Sequence, residues 1–299
     1  MTSEDTSRLG KTPVRYPRKL TACGRSVLAR TLPRQLLRRL KRLLFLPMDG
    51  VDRLLGRRGE LVPPRHLNFA GGGDFEAIGD EFLRYFVELG GLNPAHRVLE
   101  VGSGIGRMAR PLTSYLVSGS YEGVDIVPQG IRWCQTNVSA RYPNFRFQLA
   151  DVRNLMYNPQ GSCEAAEYRF PFADGDFDFA YLTSVFTHMR KREIERYLFE
   201  IARTLRPGGR CLATYFFLND EARGLMEAGR SSMDFRHALN GCWTDDKDVP
   251  EHAVAFEEGY VRQFYQDLGF IVETVRYGAW CGRPEYLSYQ DIMVARKGP

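Results

Sequence analysis

Strand-like apolar runs and helical patterns alternate along the chain from about residue 97 onward. The strand-like runs cover residues 97–101, 121–126, 145–149, 177–182, 210–218, 270–277 and 292–295. Segments with helical spacing lie at about 106–117, 128–141, 191–205 and 257–268, and Asp74 is placed to cap an earlier helix running to about Leu89. Such alternation predicts an α/β fold with a largely parallel sheet and helices on both faces.

Two long segments interrupt this alternation. Residues 153–175 are rich in Asn, Pro and Gly, and residues 219–255 combine Gly, Asp, His and Trp with weak periodicity. Long irregular inserts in an α/β domain usually lie above the carboxyl ends of the strands. We therefore expect the two inserts to build the side of the site that binds the substrate.

The first 65 residues differ in charge from the rest of the chain. They carry 16 Lys/Arg against 5 Asp/Glu, a net charge of +11, whereas the other 234 carry 25 against 31, a net charge of −6. Within them, leucines and arginines at helical spacing predict a basic amphipathic helix over residues 33–46. Such a helix docks on the protein body, lies on an anionic membrane, binds another polyanion or acts as a targeting segment, and the sequence leaves these alternatives open.

Composition and cysteine spacing narrow the class of protein. The chain is 43% hydrophobic and 26% charged, which is ordinary for a globular protein. No apolar run approaches the roughly 18 to 20 residues that a spanning helix needs. The six cysteines form no CxxC pair, so neither a zinc site nor a disulfide framework is indicated. We expect a soluble cytoplasmic protein, with peripheral attachment to the inner face of a membrane left open.

The most informative string is VLEVGSGIGRMA, which runs from Val98 to Ala109. An apolar strand ends at the acid Glu100, and glycines follow at 102, 104 and 106 before a helix begins. Glycines let the backbone approach a ligand closely, and the helix N-terminus offers free N–H groups. The G-x-G-x-G spacing differs from the G-x-G-x-x-G of pyrophosphate-binding dehydrogenases. Glu100 would repel a diphosphate and suits a nucleotide-like ligand that carries an amine.

Further acids follow the next two predicted strands. Asp125 ends the second strand in YEGVDI, where its carboxylate can accept hydrogen bonds from both hydroxyls of a ribose. Asp151 follows the third strand in LADV and can meet the exocyclic amine of an adenine. One glycine loop alone is a weak signal, but acids at three successive strand ends make a strong one.

These features resemble the class I S-adenosylmethionine-dependent methyltransferases over about residues 74–297. The resemblance includes FDFAYLTSVFTHM at residues 177–189 and LRPGGRCLATY at residues 205–215. It implies a Rossmann-like, doubly wound, seven-stranded sheet whose last strand is antiparallel. The chain lacks an NPPY or DPPY sequence after the fourth strand, which disfavours methylation of a nucleobase amine. The implied organisation is a basic extension over 1–65 and a methyltransferase domain over 66–299.

The resemblance also implies which residues bind S-adenosylmethionine. They are Glu100, Gly102, Ser103, Gly104 and Gly106 for the methionine part, Asp125 and Ile126 for ribose and adenine, Asp151 and Val152 for the adenine edge, and Thr183 near the sulfonium.

Methyl transfer to a hydroxyl also requires a base that accepts the hydroxyl proton. His188, just beyond the fourth strand, is the best-placed candidate because an ordinary histidine pKa of about 6.5 suits proton abstraction near neutral pH. A histidine that caps the following helix or bonds an insert is the alternative interpretation. Candidate substrate contacts are His237, Trp243, His252 and Trp280, although buried packing explains the tryptophans equally well.

The sequence therefore predicts an S-adenosylmethionine-dependent methyltransferase. The expected acceptor is a hydroxyl of a small molecule, a sugar or a lipid-linked glycan, and no metal is expected. An RNA or protein methyltransferase that grips its partner through the basic extension is the first alternative. A scaffold that binds the cofactor without catalysis is the second.

Overall fold

The structure is a computed structural model, and it describes residues 43, 45–52, 54–56, 58–69 and 72–299. Most of the predicted basic helix over residues 33–46 lies outside this range. Residues 45–52 are helical and precede a connector that leads into the main domain. No helix in the described ranges is long and apolar enough to cross a membrane.

The main domain alternates strands and helices as the pattern predicts. The strands are β1 (Arg97–Val101), β2 (Ser120–Asp125), β3 (Phe145–Leu149), β4 (Val152–Arg153), β5 (Cys163–Glu164), β6 (Phe177–Leu182), β7 (Leu205–Tyr215), β8 (Phe217–Leu218), β9 (His237–Leu239), β10 (Cys242–Thr244), β11 (Val254–Glu257), β12 (Phe270–Arg276) and β13 (Asp291–Lys297). The α-helices after residue 74 are α1 (Phe75–Glu88), α2 (Ala109–Tyr115), α3 (Pro128–Cys134), α4 (Lys191–Thr204), α5 (Asp220–Glu227) and α6 (Glu258–Asp267).

Seven of these strands form the central sheet, in the order β12-β13-β7-β6-β1-β2-β3. Six run parallel, and β13 is antiparallel to both of its neighbours, β12 and β7. The predicted fold class, a Rossmann-like seven-stranded sheet whose last strand is antiparallel, is confirmed.

The sheet is buried on both faces, as a parallel sheet with helices on each side requires. On β1, Val98 packs into the core layer beneath α1 and α2, whereas the next residue, Leu99, packs into the opposite layer beneath α4. Successive strand residues point to opposite faces, so this single strand contributes to both layers. Asp74 caps α1 as predicted, since its carboxylate accepts hydrogen bonds from the backbone N–H groups of Glu76 and Ala77.

The two inserts differ in structure. Residues 153–175 stay largely irregular, with only the two-residue pairing of β4 and β5. Residues 219–255 contain more structure than their weak periodicity suggests: they supply α5, β9, β10 and the start of β11, and these strands join β8 in a second sheet ordered β8-β11-β10-β9. Strands of two to four residues are too short to show the alternation on which a sequence prediction depends.

Candidate active site

A cavity of about 830 Å³ opens at the carboxyl ends of the central parallel strands. Residues that follow β1, β2 and β3 form one wall, the cofactor side, and residues that follow β6 form the other, the acceptor side, together with residues of both inserts. Most of its surface is apolar, with a few polar groups among the strand ends. A cavity of this size and character, at this edge of an open α/β sheet, is typical of a ligand site.

The glycine loop after β1 adopts a conformation that only glycine allows easily. Gly102 has φ of 85°, and a Cβ atom there would lie 2.3 Å from Cγ2 of Val185. Gly104 has φ of 57°, and its carbonyl oxygen would lie 2.1 Å from a Cβ on Gly130 at the start of α3. The loop is therefore packed between α3 and the residues after β6, with Gly102, Ser103 and Gly104 facing the cavity.

Glu100 is the most strongly perturbed acid at the cavity. Its carboxylate lies at the end of β1, is 1% exposed, and accepts hydrogen bonds from the hydroxyls of Tyr121 and Tyr181. Burial raises the pKa of Glu100 to about 8, although both hydroxyls act in the opposite direction. Glu100 is thus held protonated near neutral pH until a positive charge enters the cavity.

Asp125 fixes the shape of the glycine loop. One carboxylate oxygen accepts the N–H of Gly104 and the other accepts the N–H of Val127, both at 2.7 Å. Burial raises the pKa of Asp125 to about 6, against the effect of these backbone donors. Its position at the end of β2 and at the cavity wall leaves it able to accept further hydrogen bonds from ligand hydroxyls.

The other predicted cofactor residues divide into two groups. Ile126, Val152 and Thr183 line the cavity, whereas Gly106 and Asp151 do not. Asp151 is turned toward the first insert, where it accepts a hydrogen bond of 2.6 Å from Ser162, and this bond lowers the pKa of Asp151. The structure therefore does not bring Asp151 to the adenine edge as the sequence pattern suggested.

Polar groups of the cavity fit the chemical groups of S-adenosylmethionine. Ser103 Oγ is buried and, among the residues that the structure describes, has no hydrogen-bond partner. Arg107, which sequence reasoning did not single out, lines the same end of the cavity with its guanidinium 5.5 Å from the centre of the Phe75 ring. The cavity thus contains Glu100 to bind an amine, Asp125 to bind ribose hydroxyls and Arg107 to bind a carboxylate.

His188 lines the cavity in a short 3₁₀ turn, Phe186–His188, that follows β6. Its Nδ1 lies 3.0 Å from the backbone oxygen of Glu251, and because that oxygen only accepts hydrogen bonds, Nδ1 carries the proton. Burial lowers the pKa of His188 below its ordinary value. The neutral imidazole therefore has its basic lone pair on Nε2, the protonation state that a general base requires.

Residues of both inserts surround His188. The ring of Tyr157 lies edge-on to the imidazole at 5.9 Å. The Glu251 carboxylate accepts the N–H of Leu155 at 2.8 Å and pairs with Arg190 at 3.1 Å, so it ties the second insert to the first. Sequence reasoning missed Tyr157 and Glu251, because no local pattern marks a contact between segments about a hundred residues apart.

The four predicted substrate residues do not line the cavity. His237 is exposed on β9, and His252 pairs with Asp245 at 2.7 Å. Trp243 donates its indole N–H to Glu257, and Trp280 is fully buried and donates to Asp291 at 2.8 Å. The aromatic and sulfur-containing residues that do line the acceptor side are Tyr157, Tyr168, Met189, Tyr197, Met233 and Tyr289.

No group of three or more potential metal ligands occurs among the residues that the structure describes.

The backbone after β6 is shaped by polar contacts between protein groups. Ser184 has φ of 57°, in the left-handed region, and its N–H donates to Thr214 Oγ1 at 2.8 Å. Backbone strain of this kind persists at functional sites where the surroundings fix it.

Residues 98–209 match the family model of a methyltransferase domain. This segment runs from β1 into β7 and holds the glycine loop, Asp125 and His188. This part of the chain is therefore similar to the methyltransferase domains that use S-adenosylmethionine as their cofactor.

Individual relatives extend this likeness. The chain is 34% identical, over 126 residues, to a phthiotriol/phenolphthiotriol dimycocerosates methyltransferase of Mycobacterium tuberculosis, and the match covers 41% of this chain and 37% of the relative. It is 31% identical over 150 residues to a fatty-acid O-methyltransferase of Mycolicibacterium smegmatis, covering 48% and 46%. The chain thus spans less than half the length of either relative. The PH0226 protein of Pyrococcus horikoshii shares the fold, with a TM-score of 0.53 and 15% identity over 77% of this chain and 94% of that one.

Proposed function

We propose that the protein transfers the methyl group of S-adenosylmethionine to a hydroxyl oxygen of an apolar acceptor of the lipid class. The observation that carries the proposal is one largely apolar cavity that joins the glycine loop to His188. Two relatives are named a phthiotriol/phenolphthiotriol dimycocerosates methyltransferase and a fatty-acid O-methyltransferase, and these names support an apolar acceptor. A smaller hydroxyl compound or a lipid-linked glycan remains within the same reaction type.

Three charged side chains would hold the cofactor. Glu100 faces the amine, whose positive charge favours the ionised carboxylate, and Asp125 accepts hydrogen bonds from the ribose hydroxyls. Arg107 binds the carboxylate of the methionine part, since it directly follows the glycine loop and lines the cavity there. Ile126 and Val152 supply apolar contact for the adenine.

The bound cofactor supplies a methyl group activated by a sulfonium, so the protein has to align the acceptor and remove one proton. His188 Nε2 would accept the proton that the acceptor hydroxyl loses as it takes the methyl group, whose bond to sulfur breaks with the electron pair left on sulfur, so that S-adenosylhomocysteine is the leaving group. The backbone oxygen of Glu251 accepts the hydrogen bond from Nδ1–H and so stabilises the imidazolium that results. The apolar wall around Tyr157 and Met189 keeps bulk water away from this transfer.

Cofactor binding is tested by calorimetric titration with S-adenosylhomocysteine. We expect Asp125→Ala to weaken binding about 10- to 100-fold, because the backbone N–H groups of Gly104 and Val127 lose their carboxylate acceptor and the ribose loses its partner. Asp151→Ala is the matched control, since Asp151 bonds Ser162 outside the cavity, and it should change affinity less than about twofold. No binding by the unmodified protein would contradict the assignment of the site.

The role of His188 is tested with two acceptors that differ in their need for a base. A fatty alcohol must lose its proton, whereas a fatty acid is already ionised at pH 7. His188→Ala should slow transfer to the alcohol about 10²- to 10⁴-fold and affect transfer to the acid far less. His237→Ala is the control. Equal losses with both acceptors would show that His188 shapes the cavity and is not the base.

A further inference from the structure

An unusual apolar surface lies at the start of the described chain. We call it the N-terminal apolar surface, formed by Leu43, Leu46, Met48, Val51, Leu54 and Leu55. Among the described residues, eleven large hydrophobic side chains are exposed, and six of them fall within these 13 residues. Leu54 is the most exposed, at 87%. Single exposed hydrophobic residues are normal, but a cluster of this kind marks an interaction surface.

The polar contacts of this segment show which side faces the protein. Asp49 is buried, and its carboxylate accepts the N–H of Arg65 at 2.9 Å and lies 2.8 Å from Nδ1 of His66. Asp52 pairs with Arg65 at 2.6 Å. The acidic side of the helical residues 45–52 thus contacts the protein, and their apolar side faces solvent. This is the reverse of an ordinary surface helix, whose apolar face packs on the core.

Charge around the surface indicates what would cover it. Residues 30–58 contain nine Lys/Arg and two acids, Asp49 and Asp52, both of which are turned toward Arg65. Exposed leucines flanked by many cations are typical of a segment that lies in the interface of an anionic membrane. An RNA would pair with the basic residues but would leave the leucines exposed to water. A second copy of the chain would bring two basic segments together, which repel each other.

The surface lies close in sequence to the cavity wall. After it, Leu61 enters the core, and Phe69, Gly72 and Gly73 line the cavity. Phe69 also reaches α3, since its ring would lie 3.0 Å from a Cβ on Gly130. A short connector therefore links the apolar surface to the end of the cavity formed by the glycine loop.

We propose that the N-terminal apolar surface docks on an anionic lipid bilayer and holds the cavity beside it. The leucines insert among the acyl chains, and the flanking arginines contact the anionic headgroups. Its use in delivering a lipid acceptor rests on the proposed function, whereas membrane docking itself does not.

The test is co-sedimentation of the full chain with vesicles of phosphatidylcholine alone or with about one-third phosphatidylglycerol. We expect binding to anionic vesicles at least tenfold stronger than to neutral ones, because each basic residue near the surface contributes about 1 kcal/mol. The triple variant Leu46→Glu, Val51→Glu, Leu54→Glu should lose at least tenfold in partitioning. Equal binding of this variant and the unmodified protein would overturn the proposal.

A matched control removes the same amount of exposed apolar surface elsewhere. Val117→Glu, Phe199→Glu and Ile271→Glu alter side chains that are 79%, 48% and 50% exposed, and this triple variant should bind vesicles like the unmodified protein. Thermal unfolding of both variants checks that they fold. Light scattering shows whether the protein is a dimer. Membrane docking would be overturned if the unmodified protein formed a dimer and did not bind vesicles, and if the first triple variant lost that dimer. Transfer to a short acceptor without vesicles is measured in parallel, so loss of docking and loss of catalysis are separated.

Discussion

The two walls of the cavity are built from contacts of very different range. On the cofactor side, Gly104 and the carboxylate that fixes it, Asp125, are 21 residues apart. On the acceptor side, His188 and its partner Glu251 are 63 residues apart, and Glu251 reaches Leu155 across 96 residues. The glycine loop is thus fixed from within a single strand–loop–helix–strand unit. The acceptor side forms only when two inserts meet.

This contrast suggests that the two walls can be damaged separately. Substitutions on the cofactor side should lower affinity for S-adenosylhomocysteine, and substitutions on the acceptor side should lower the rate of transfer and leave that affinity unchanged. The two walls approach each other closely at Gly102, where an added Cβ would lie 2.3 Å from Cγ2 of Val185. The largest effect is expected there.

Gly102→Ala should disturb both walls at once. The new Cβ would lie 2.3 Å from Val185 at a backbone φ of 85°, so both the loop and the residues after β6 must shift. We expect at least 100-fold weaker binding of S-adenosylhomocysteine, measured by titration, together with loss of transfer. Gly208→Ala is the control, since Gly208 has φ of 78° with no atom within 4 Å of a Cβ. It should show only the strain of about 1–2 kcal/mol in unfolding free energy.

Glu251→Ala should damage the acceptor wall alone. It removes the carboxylate that binds Leu155 and Arg190, and so loosens the turn whose backbone oxygen orients His188. We expect kcat to fall about tenfold, because misplacing a catalytic group costs rate, with affinity for S-adenosylhomocysteine unchanged. The pKa that governs the acidic limb of the pH–rate profile should rise toward the ordinary histidine value of about 6.5, because water would then reach the His188 imidazole.

Glu251→Gln tests whether this effect is one of position. An amide oxygen can still accept the N–H of Leu155, so this variant should recover most of kcat and return the pH profile toward that of the unmodified protein. Weaker binding of S-adenosylhomocysteine in Glu251→Ala would show that the two walls are coupled.

The smallest predicted effect concerns the pH dependence of cofactor binding. Glu100 is protonated below its pKa of about 8, and a bound amine favours the ionised form. Binding therefore releases a proton, and affinity should rise as pH increases from 6 to 8. Titrations in buffers of different ionisation enthalpy measure that proton. Glu100→Gln should bind more weakly, with an affinity that no longer rises over this range.

The same difference in range explains what the sequence could predict. The residues of β1, the cap at Asp74 and the acid at the end of β2 depend on neighbours along the chain, and the structure has each where the pattern placed it. The antiparallel β13 followed from the family resemblance, since no local signal gives a strand its direction in the sheet. Local signals located the glycine loop and Asp125 because these lie within one strand–loop–helix–strand unit, but they did not single out Arg107.

Residues that depend on the path of the two inserts, on either side of the cavity, could not be predicted in the same way. Asp151 follows its strand as Asp125 follows β2, but a serine from the first insert binds it away from the cavity. Trp280 was a candidate for either a substrate contact or buried packing, and its indole is buried and donates a hydrogen bond to Asp291. Buried side chains and cavity-lining side chains are chemically alike, so only the path of the chain distinguishes them.

The order of the central sheet also bears on how its edges are protected. The strand β13 inserts between β7 and β12, and Lys297 at its end donates a hydrogen bond to the backbone oxygen of Leu205. Before β13 takes this place, β7 and β12 each have an unpaired edge. The central sheet is thus complete only when β13 has paired with both strands, and its pairing closes two edges on which another chain could add a strand.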